Sequence, residues 1–292
     1  MKRLVQIVIQ FLLSCIGIIL VGALPVLLSG INERKLYVKE YITSIKEIIY
    51  SIFHLEELTY FVFSSNIERP LFPHLWDPIF YSLTVLFSAL LLACVVALLL
   101  TIVSMLFSER IRSRLKLIFY VLESLPDIFV IIVCQFFVII FFKQTGILLL
   151  EIAAISEQKV YTLPILCLAI LPTIQLYRLS MLTFEEESRK NYVELAQSIG
   201  LGKLFIIVIH IFRNAIISVF FQSKKTVWFM LSNLFVLELL FNIAGVTRFL
   251  MSYTQPTIFT VSLLAFFIPI FLFYSIGEWI LQKKANRGEV LS

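Results

Sequence analysis

The sequence predicts an all-α integral membrane protein with six transmembrane helices. Of its 292 residues, 60% are hydrophobic and only 15% are charged, with a mean hydropathy of +0.97. A soluble domain carries about a quarter charged residues, so this composition excludes an ordinary soluble protein. Six apolar runs also approach or exceed the roughly 20 residues that cross a bilayer. Basic residues are concentrated in the loops of one side of the predicted membrane.

The six predicted spans differ in the charges that interrupt them. The first two runs carry none, the third carries two carboxylates and the fourth one arginine. The fifth contains two lysines and a glutamate, and its cytoplasmic end fits an interfacial helix as well as a span. The runs are Leu4–Leu28, Ile79–Phe107, Ile118–Phe142, Val160–Leu182, Ala215–Phe241 and Thr257–Leu281.

The first run also resembles a signal peptide in one respect, since Met1, Lys2 and Arg3 form a charged start. Its 25 apolar residues, Leu4–Leu28, exceed the roughly 7–15 of a signal-peptide core, and no persuasive small-x-small cleavage site follows. We therefore expect an uncleaved span.

The orientation of the spans follows from the basic residues in the loops. With the N-terminus inside, the cytoplasmic segments hold 13 Lys and Arg and the longer outside segments hold 8. This bias places both termini in the cytoplasm. The inside segments are 1–3, 108–117, 183–214 and 282–292, and the outside segments are 29–78, 143–159 and 242–256.

The outside segment 29–78 is the only sizeable piece predicted to lie outside the membrane. Its stretch "LYVKEYITSIKEIIYSIFHLEELTYFVF" repeats apolar residues every three or four positions. This period predicts one or two amphipathic helices on the outer surface. They fit a structural cap over the spans or a docking platform.

No pattern typical of a nucleotide-binding or catalytic domain occurs in the chain. The phosphate-loop motif GxxxxGK[ST] is absent, and no nucleophile, base and orienting group cluster in the sequence. The four cysteines lie in apolar runs without metal-binding or disulfide spacing, and the three histidines are scattered. The sequence therefore predicts no metal site, and a catalytic site would have to rest on carboxylates within the spans alone.

Two carboxylates in the third span need an explanation, because charges inside a bilayer are costly and often functional. Glu123 and Asp127 are one helical turn apart, which places them on one face beside Pro126, where we expect a kink. Three interpretations stay open: ion pairs near the interface, a hydrophilic path, or a catalytic pair. The basic sequence "ERIRSRLK" nearby favours the first.

The stretch from Tyr192 to Ala215 contains two short helical patterns separated by Gly200-Leu201-Gly202. The first places apolar residues on one face, and Gly200 is suited to the left-handed conformation that ends a helix. The second leads into the fifth span. Such a helix, held between two spans, transmits motion from a cytoplasmic partner or lies passively on lipid. The apolar face comprises Tyr192, Leu195, Ala196 and Ile199.

The spacing of this stretch resembles the EAA loop of binding-protein-dependent ABC transporter permeases. Glu194-Leu195-Ala196 is followed by Gly200 and then by His210-x-Phe212-Arg213-Asn214-Ala215, an ending similar to that of the dipeptide, oligopeptide and nickel branch. "LPILCLAILPTIQLYRLSMLTFEEESRKNYVELAQSIGL", "ELLFNIAGVTRFL" and "LESLPDIFV" are also similar to that branch. The resemblance covers about residues 79–282, although Ile243-Ala244 stands where the family usually has Trp-Pro.

The resemblance implies a type I ABC importer permease fold in the bacterial cytoplasmic membrane. It implies four kinds of partner besides the lipid bilayer: a second homologous permease, two ABC ATPase subunits that hold ATP and Mg, and an extracytoplasmic binding protein. It implies no nucleic acid and no cofactor in this chain. Peptide is the first expected cargo, and nickel or another chelated metal is the second.

The resemblance also implies site residues and a division of the chain. The residues expected to couple to the ATPases are Tyr192, Glu194, Leu195, Ala196, Ile199, Gly200, His210 and Arg213. Candidate pathway residues are Glu123, Asp127, Lys224, Lys225 and Glu238. The expected segments are the first span 1–28, the outer loop 29–78, the permease core 79–282 with the coupling loop 184–214, and the cytoplasmic tail 283–292.

Lys224 and Lys225 have two interpretations. Either the fifth span starts near Thr226 and both lie at the cytoplasmic interface, or at least one lines the translocation path and meets an anionic group. A lipid-facing ammonium at mid-bilayer costs several kcal/mol and is excluded by both.

Two other classes of membrane protein would carry sequence features different from those of a permease. A secondary transporter is expected to carry inverted repeats, and no repeat relates residues 1–142 to 143–292. A membrane enzyme needs convergent polar groups in several spans, where only Glu123, Asp127 and Arg178 are available. Co-purification of an ATPase separates a permease from both.

Overall fold

A computed structural model describes residues 2–31, 34–62, 67–155 and 158–289, with side chains described between positions 5 and 281. The chain divides into two compact units, Met1–Leu83 with Ala244–Ser292, and Thr84–Ile243. Within the described ranges, six helices are long and apolar enough to span a membrane, which confirms the predicted six-span, all-α architecture. These candidate spans are Val5–Leu28, Trp76–Leu106, Asp127–Thr145, Thr162–Ser188, Lys203–Leu240 and Pro256–Leu281.

The helices are numbered here in chain order. They are α1 (Lys2–Leu28), α2 (Val38–Phe53), α3 (Leu71–His74), α4 (Trp76–Leu106), α5 (Glu109–Glu123), α6 (Asp127–Thr145), α7 (Thr162–Ser188), α8 (Asn191–Ser198), α9 (Lys203–Phe205), α10 (Phe212–Leu240), α11 (Val246–Ser252) and α12 (Pro256–Glu289). A π-helical turn, Ile206–Ile211, connects α9 to α10. Of the expected tail 283–292, the backbone is helical to Glu289, and residues 290–292 lie outside the described part.

In the first unit, α1 packs against α12 and α2. The two helices approach closely at Gly22, where an added Cβ would lie 1.9 Å from Thr260 Oγ1 on α12. Only a glycine lets two helices come so near at this position. The predicted amphipathic helix of the outer segment is present as α2, whose Ser44 and Ile48 are buried. Tyr41 of α2 donates a hydrogen bond to the Leu20 carbonyl of α1 over 3.1 Å.

The helical prediction is wrong for the end of the outer segment. Thr59–Val62 forms an antiparallel strand pair with Ile67–Pro70, in the register Thr59 opposite Pro70 and Tyr60 opposite Arg69. Thr, Tyr, Phe and Val in succession favour an extended chain because β-branched and aromatic side chains pack well on a pleated surface. Phe63, the last residue of the predicted stretch, lies outside the described residues.

In the second unit, α7 packs against α10, α5 and α6. Its inner face is almost wholly buried, and Tyr177 lies at the centre of it. The Tyr177 hydroxyl and the Ser104 hydroxyl of α4 share a buried hydrogen bond of 2.9 Å. Gln222 of α10 donates to Thr183 of α7 over 3.2 Å. These bonds satisfy polar groups that would be costly to leave unpaired in an apolar interior.

The third span begins later than predicted. Pro126 does not kink a continuous helix: α5 ends at Glu123, and α6 begins at Asp127 after the extended Pro126. A proline disfavours helical geometry in the residue before it, so a helix usually ends before a proline. The apolar run Ile118–Phe142 therefore belongs to two helices, and the span is Asp127–Thr145.

Candidate functional site

The site is the stretch around α8, which lies between two helices of spanning length. The C-terminal end of α8 is capped at Gly200, as the sequence predicts. Gly200 adopts a φ of +82°, its N–H donates to Gln197 over 3.0 Å, and the Leu201 N–H donates to Ala196 over 3.2 Å. These two bonds define a Schellman motif, which satisfies carbonyls at the helix end. The next helix begins after Gly202.

The N-terminal end of α8 is tied to α7 through Tyr192. Its hydroxyl donates a 2.6 Å hydrogen bond to Glu187 Oε2, and the Lys190 ammonium contacts the other Glu187 oxygen. Burial and the Glu187 acceptor raise the pKa of Tyr192 to about 12, although a hydrogen bond with Asn214 opposes this rise. The phenol therefore stays protonated and remains a donor at physiological pH.

The buried face of α8 differs from the predicted one. Val193 and Ala196 are buried within the chain, whereas Leu195 and Ile199 are 65% and 68% exposed. Glu194 is also exposed. Of the four predicted residues, Ala196 is thus the one that packs on its own chain, where its small side chain allows a close approach. Leu195 and Ile199 remain as an outward apolar pair.

A second tie anchors the chain after the glycine turn. The Lys203 ammonium donates a 3.0 Å hydrogen bond to the Leu106 carbonyl, the last residue of α4. A cation at this position also interacts favourably with the negative end of the helix dipole. Lys203, Glu187 and Val193 were not among the residues predicted from the sequence. Glu187 belongs to the acidic run Glu185-Glu186-Glu187, whose charge is opposite to that of the basic residues of α5 and was a usable signal.

The remaining candidates, His210 and Arg213, lie where the chain after α9 enters the long helix α10. His210 is part of the π-helical turn Ile206–Ile211 and is half-buried, with its ring 6.0 Å from that of Phe205. Arg213 lies at the start of α10 and is exposed. A π-helical turn inside a longer helix is a frequent feature of functional sites.

Ion pairs hold α5 against α7. Lys116 Nζ lies 2.9 Å from both oxygens of Glu185, and Arg112 Nε lies 3.9 Å from one of them. At the other end of α5, Arg178 makes a two-point contact with Glu123, with distances of 3.0 and 3.1 Å. Two-point arginine–carboxylate contacts fix geometry as well as charge.

The structure separates the first two pathway candidates. Glu123 ends α5 and is paired with Arg178, and Asp127 begins α6 and is half-buried. The prediction that both carboxylates lie on one helical face is therefore wrong, because the helix is interrupted between them and a new helix begins at Asp127, after Pro126.

The other pathway candidates lie on α10, which is continuous through residues 212–240. Lys224 and Lys225 are both exposed, and Glu238 is buried. No helix start occurs near Thr226. Ser218, Lys225 and Ser232 follow one another at intervals of seven, and the first and last are also exposed. Residues seven apart lie near one face, so these three polar side chains share one side of the helix with the exposed Trp228.

Metal-ligating residues do not cluster in the described ranges. No group of three or more His, Cys, Asp or Glu side chains there is arranged to hold a metal ion. The four cysteine thiols are free. The chemistry of the site is thus that of packing, ion pairs and an exposed apolar pair on a rigid helix.

Comparison with known proteins identifies the family. No individual curated protein matches the chain. The model of one family, described as the binding-protein-dependent transport system inner membrane component, matches residues 97–283, which is more than half of the chain and includes α8 and both of its ties. This family consists of transport permeases that work with ATPases and binding proteins in ABC importers, and it is not a catalytic family. The chain thus belongs to the binding-protein-dependent transport system inner membrane components and is a multi-pass ABC importer permease with the type I fold.

Proposed function

We propose that this permease imports peptides and belongs to the dipeptide, oligopeptide and nickel branch. It pairs with a second homologous permease, two ABC ATPases that bind ATP and Mg, and an extracytoplasmic binding protein. Both termini face the cytoplasm of a bacterial cell, as the distribution of basic residues supports. This chain supplies a path and a coupling element and hydrolyses nothing itself.

The observation that carries the coupling proposal is the outward pair Leu195 on α8 and Ile199 directly after it. These two large apolar side chains are exposed at the end of a helix of eight residues, Asn191–Ser198, next to the exposed carboxylate of Glu194. Exposed apolar clusters rimmed by polar groups are typical of protein interaction sites. We assign this pair to an apolar groove of the ATPase.

Three connections transmit a displacement of α8 to the spans. The first runs through Tyr192 and Glu187 to the end of α7. The second runs through Lys203 to the Leu106 carbonyl of α4. The third runs through the π-helical turn into α10. The turn at Gly200 fixes the angle between α8 and the next helix, so closure of the ATPases is passed on as a displacement of helix ends.

The pathway proposal rests on three polar residues that share one face of α10. Ser218, Lys225 and Ser232 are exposed along one face of a helix of spanning length. Polar and charged groups in a span face a partner, a protein interior or water rather than lipid. We assign this face to the translocation path shared with the second permease, where Lys225 meets the carboxylate of a peptide. Glu123 is instead a positioning residue, because Arg178 occupies its carboxylate.

Uptake into vesicles tests the cargo. The permease, reconstituted with its partner subunits and binding protein, is expected to accumulate a labelled tripeptide in an ATP-dependent manner. Uptake of a nickel chelate without uptake of peptide would contradict the peptide proposal and support the metal importer.

The same vesicles test the path. Lys225→Gln is expected to lower uptake of a peptide with a free carboxylate several-fold more than uptake of its amidated form. Gln222→Ala, a change on the same helix at a residue bonded to Thr183, serves as the control and should affect both peptides equally. Equal effects of Lys225→Gln on both peptides, or none, would exclude this residue from the path.

A further inference from the structure

We propose that the outer face of α5 is a binding surface for anionic phospholipids of the bilayer. This surface, called the α5 outer face, consists of Arg110, Arg114, Leu117, Ile118 and Val121. All five side chains are exposed, and the three apolar ones are 66%, 53% and 59% accessible. The inference needs only the membrane location of the chain and is independent of the proposed cargo and coupling.

The opposite face of α5 is already occupied by α7. Arg112 and Lys116 pair with Glu185, Phe119 stacks against Tyr177 at 4.3 Å, and Glu123 pairs with Arg178. These contacts fix the rotation of α5 about its axis. The α5 outer face therefore points away from α7 and is accessible to a partner from outside the chain.

The order of residue types along this face matches the depth profile of a leaflet. Both arginines lie in the N-terminal half of α5, and the three apolar residues lie in the half that leads to the third span. At 1.5 Å per residue, the centres of the two groups are about 10 Å apart. The polar interfacial layer of a bilayer is roughly 5–8 Å thick on each side. The arginines can thus lie at the phosphate level while the apolar group contacts acyl chains.

Charge decides between lipid classes. Arg112 and Lys116 share one carboxylate on the inner face, whereas Arg110 and Arg114 point outwards on the α5 outer face. Basic residues on an amphipathic helix next to a span are attracted to anionic headgroups, and a guanidinium binds a phosphate with two hydrogen bonds. An apolar protein partner would fit the three apolar residues but leaves both arginines unexplained.

Lipid retention by the purified full-length chain tests this surface. Native mass spectrometry with equal amounts of phosphatidylglycerol and phosphatidylcholine should detect preferential retention of phosphatidylglycerol. The double variant Arg110→Gln with Arg114→Gln should reduce that preference by about tenfold. Arg110→Lys with Arg114→Lys should keep most of it.

A matched control removes two exposed charges elsewhere. Lys46→Gln with Lys143→Gln changes the net charge equally, and both lysines are exposed and outside α5. We expect this control to retain the wild-type preference. An unchanged preference in the arginine double variant, or an equal loss in the lysine control, would overturn the proposal. Normal lipid preference combined with lost binding of the second permease would assign the α5 outer face to a protein partner instead and would also overturn it. Monodispersity on gel filtration confirms folding of each variant.

Discussion

The Tyr192 hydroxyl lies 2.6 Å from Glu187 Oε2, and this hydrogen bond joins α8 to the last turn of α7. The bond is also held from its acceptor side, because Lys190 contacts the other carboxylate oxygen. Together, this bond and the Lys203 contact to α4 attach both ends of the stretch from Tyr192 to Lys203 to helices of spanning length. An exposed helix in this arrangement moves with the spans and not independently of them.

Tyr192→Phe removes this bond and keeps the ring. A hydrogen bond to a charged group contributes about 1.5–3 kcal/mol, so we expect a lower midpoint of thermal unfolding in detergent. Transport per ATP hydrolysed should fall as well, because α8 is then less tightly joined to α7. Differential scanning fluorimetry and vesicle uptake measure the two effects, and wild-type values in both would contradict the role given to this bond.

The same bond predicts a pH dependence. The pKa of Tyr192 is raised from its ordinary value of 10 to about 12 in the folded chain. Because this pKa is higher in the folded chain than in the unfolded one, the contribution of Tyr192 to the free energy of unfolding is full below pH 10. It is lost as the pH rises through 12. The stability difference between wild type and Tyr192→Phe should therefore be constant below pH 10 and shrink above it. A difference that already shrinks near neutral pH would contradict the assignment.

Gly200 and Gly202 offer a matched pair for the turn after α8. An added Cβ meets nothing within 4 Å at either position, but φ is +82° at Gly200 and −64° at Gly202. A β-branched residue resists a positive φ, so Gly200→Val should destabilise the turn by more than about 1–2 kcal/mol and uncouple ATP hydrolysis from transport. Gly202→Val should be tolerated, and similar behaviour of both variants would exclude the backbone explanation.

The contact between α1 and α12 can be tested in the same way. At Gly22 an added Cβ would lie 1.9 Å from Thr260 Oγ1, whereas at Gly17 it meets nothing within 4 Å. We expect Gly22→Ala to destabilise the first unit by about 1–3 kcal/mol through overpacking and Gly17→Ala to leave the unfolding midpoint unchanged. If Gly22→Ala melts at the wild-type temperature, the close approach of these helices is absent.

Thiol labelling tests the orientation. Glu68 in the strand pair and Glu194 on α8 are both exposed, so their cysteine variants are equally accessible in the folded chain. An impermeant maleimide added to intact cells should label Glu68→Cys, and label Glu194→Cys only after the cells are opened. The unmodified chain gives the background from its four cysteines. The reversed pattern would place the coupling segment away from ATP.

The six spans were predictable because their apolar length is a direct requirement of the bilayer. The turn at Gly200 was predictable because few residues adopt a positive φ. The break before Asp127 was missed because an apolar run does not reveal whether a proline lies within a helix or just before one. The burial of Val193 and Ala196 within the chain was not predictable, because Val193 and Leu195 are equally apolar and only packing against the chain distinguishes them.

The sequence shows complementary charges for the ion pairs around α5 but does not identify the partners. The sequence places "ERIRSRLK" and "EEES" near the ends of different spans, and complementary charge alone does not establish that Lys116 meets Glu185. That pairing depends on α7 and α5 lying side by side, which is a tertiary relationship. The missed role of Lys203 has the same cause, since its acceptor is a carbonyl 97 residues away in the sequence.

The central claim is that the ATPase docks on α8. It is tested most directly by measuring whether the ATPase still associates with a permease that carries added charges at this site. Leu195→Asp with Ile199→Asp places two carboxylates on the proposed docking pair, and the ATPase should then no longer co-purify with the permease. Leu148→Asp with Leu149→Asp introduces the same charges at exposed positions between α6 and α7 and should leave co-purification intact. Wild-type recovery of the ATPase with the α8 variant, at equal permease expression, would contradict docking through α8.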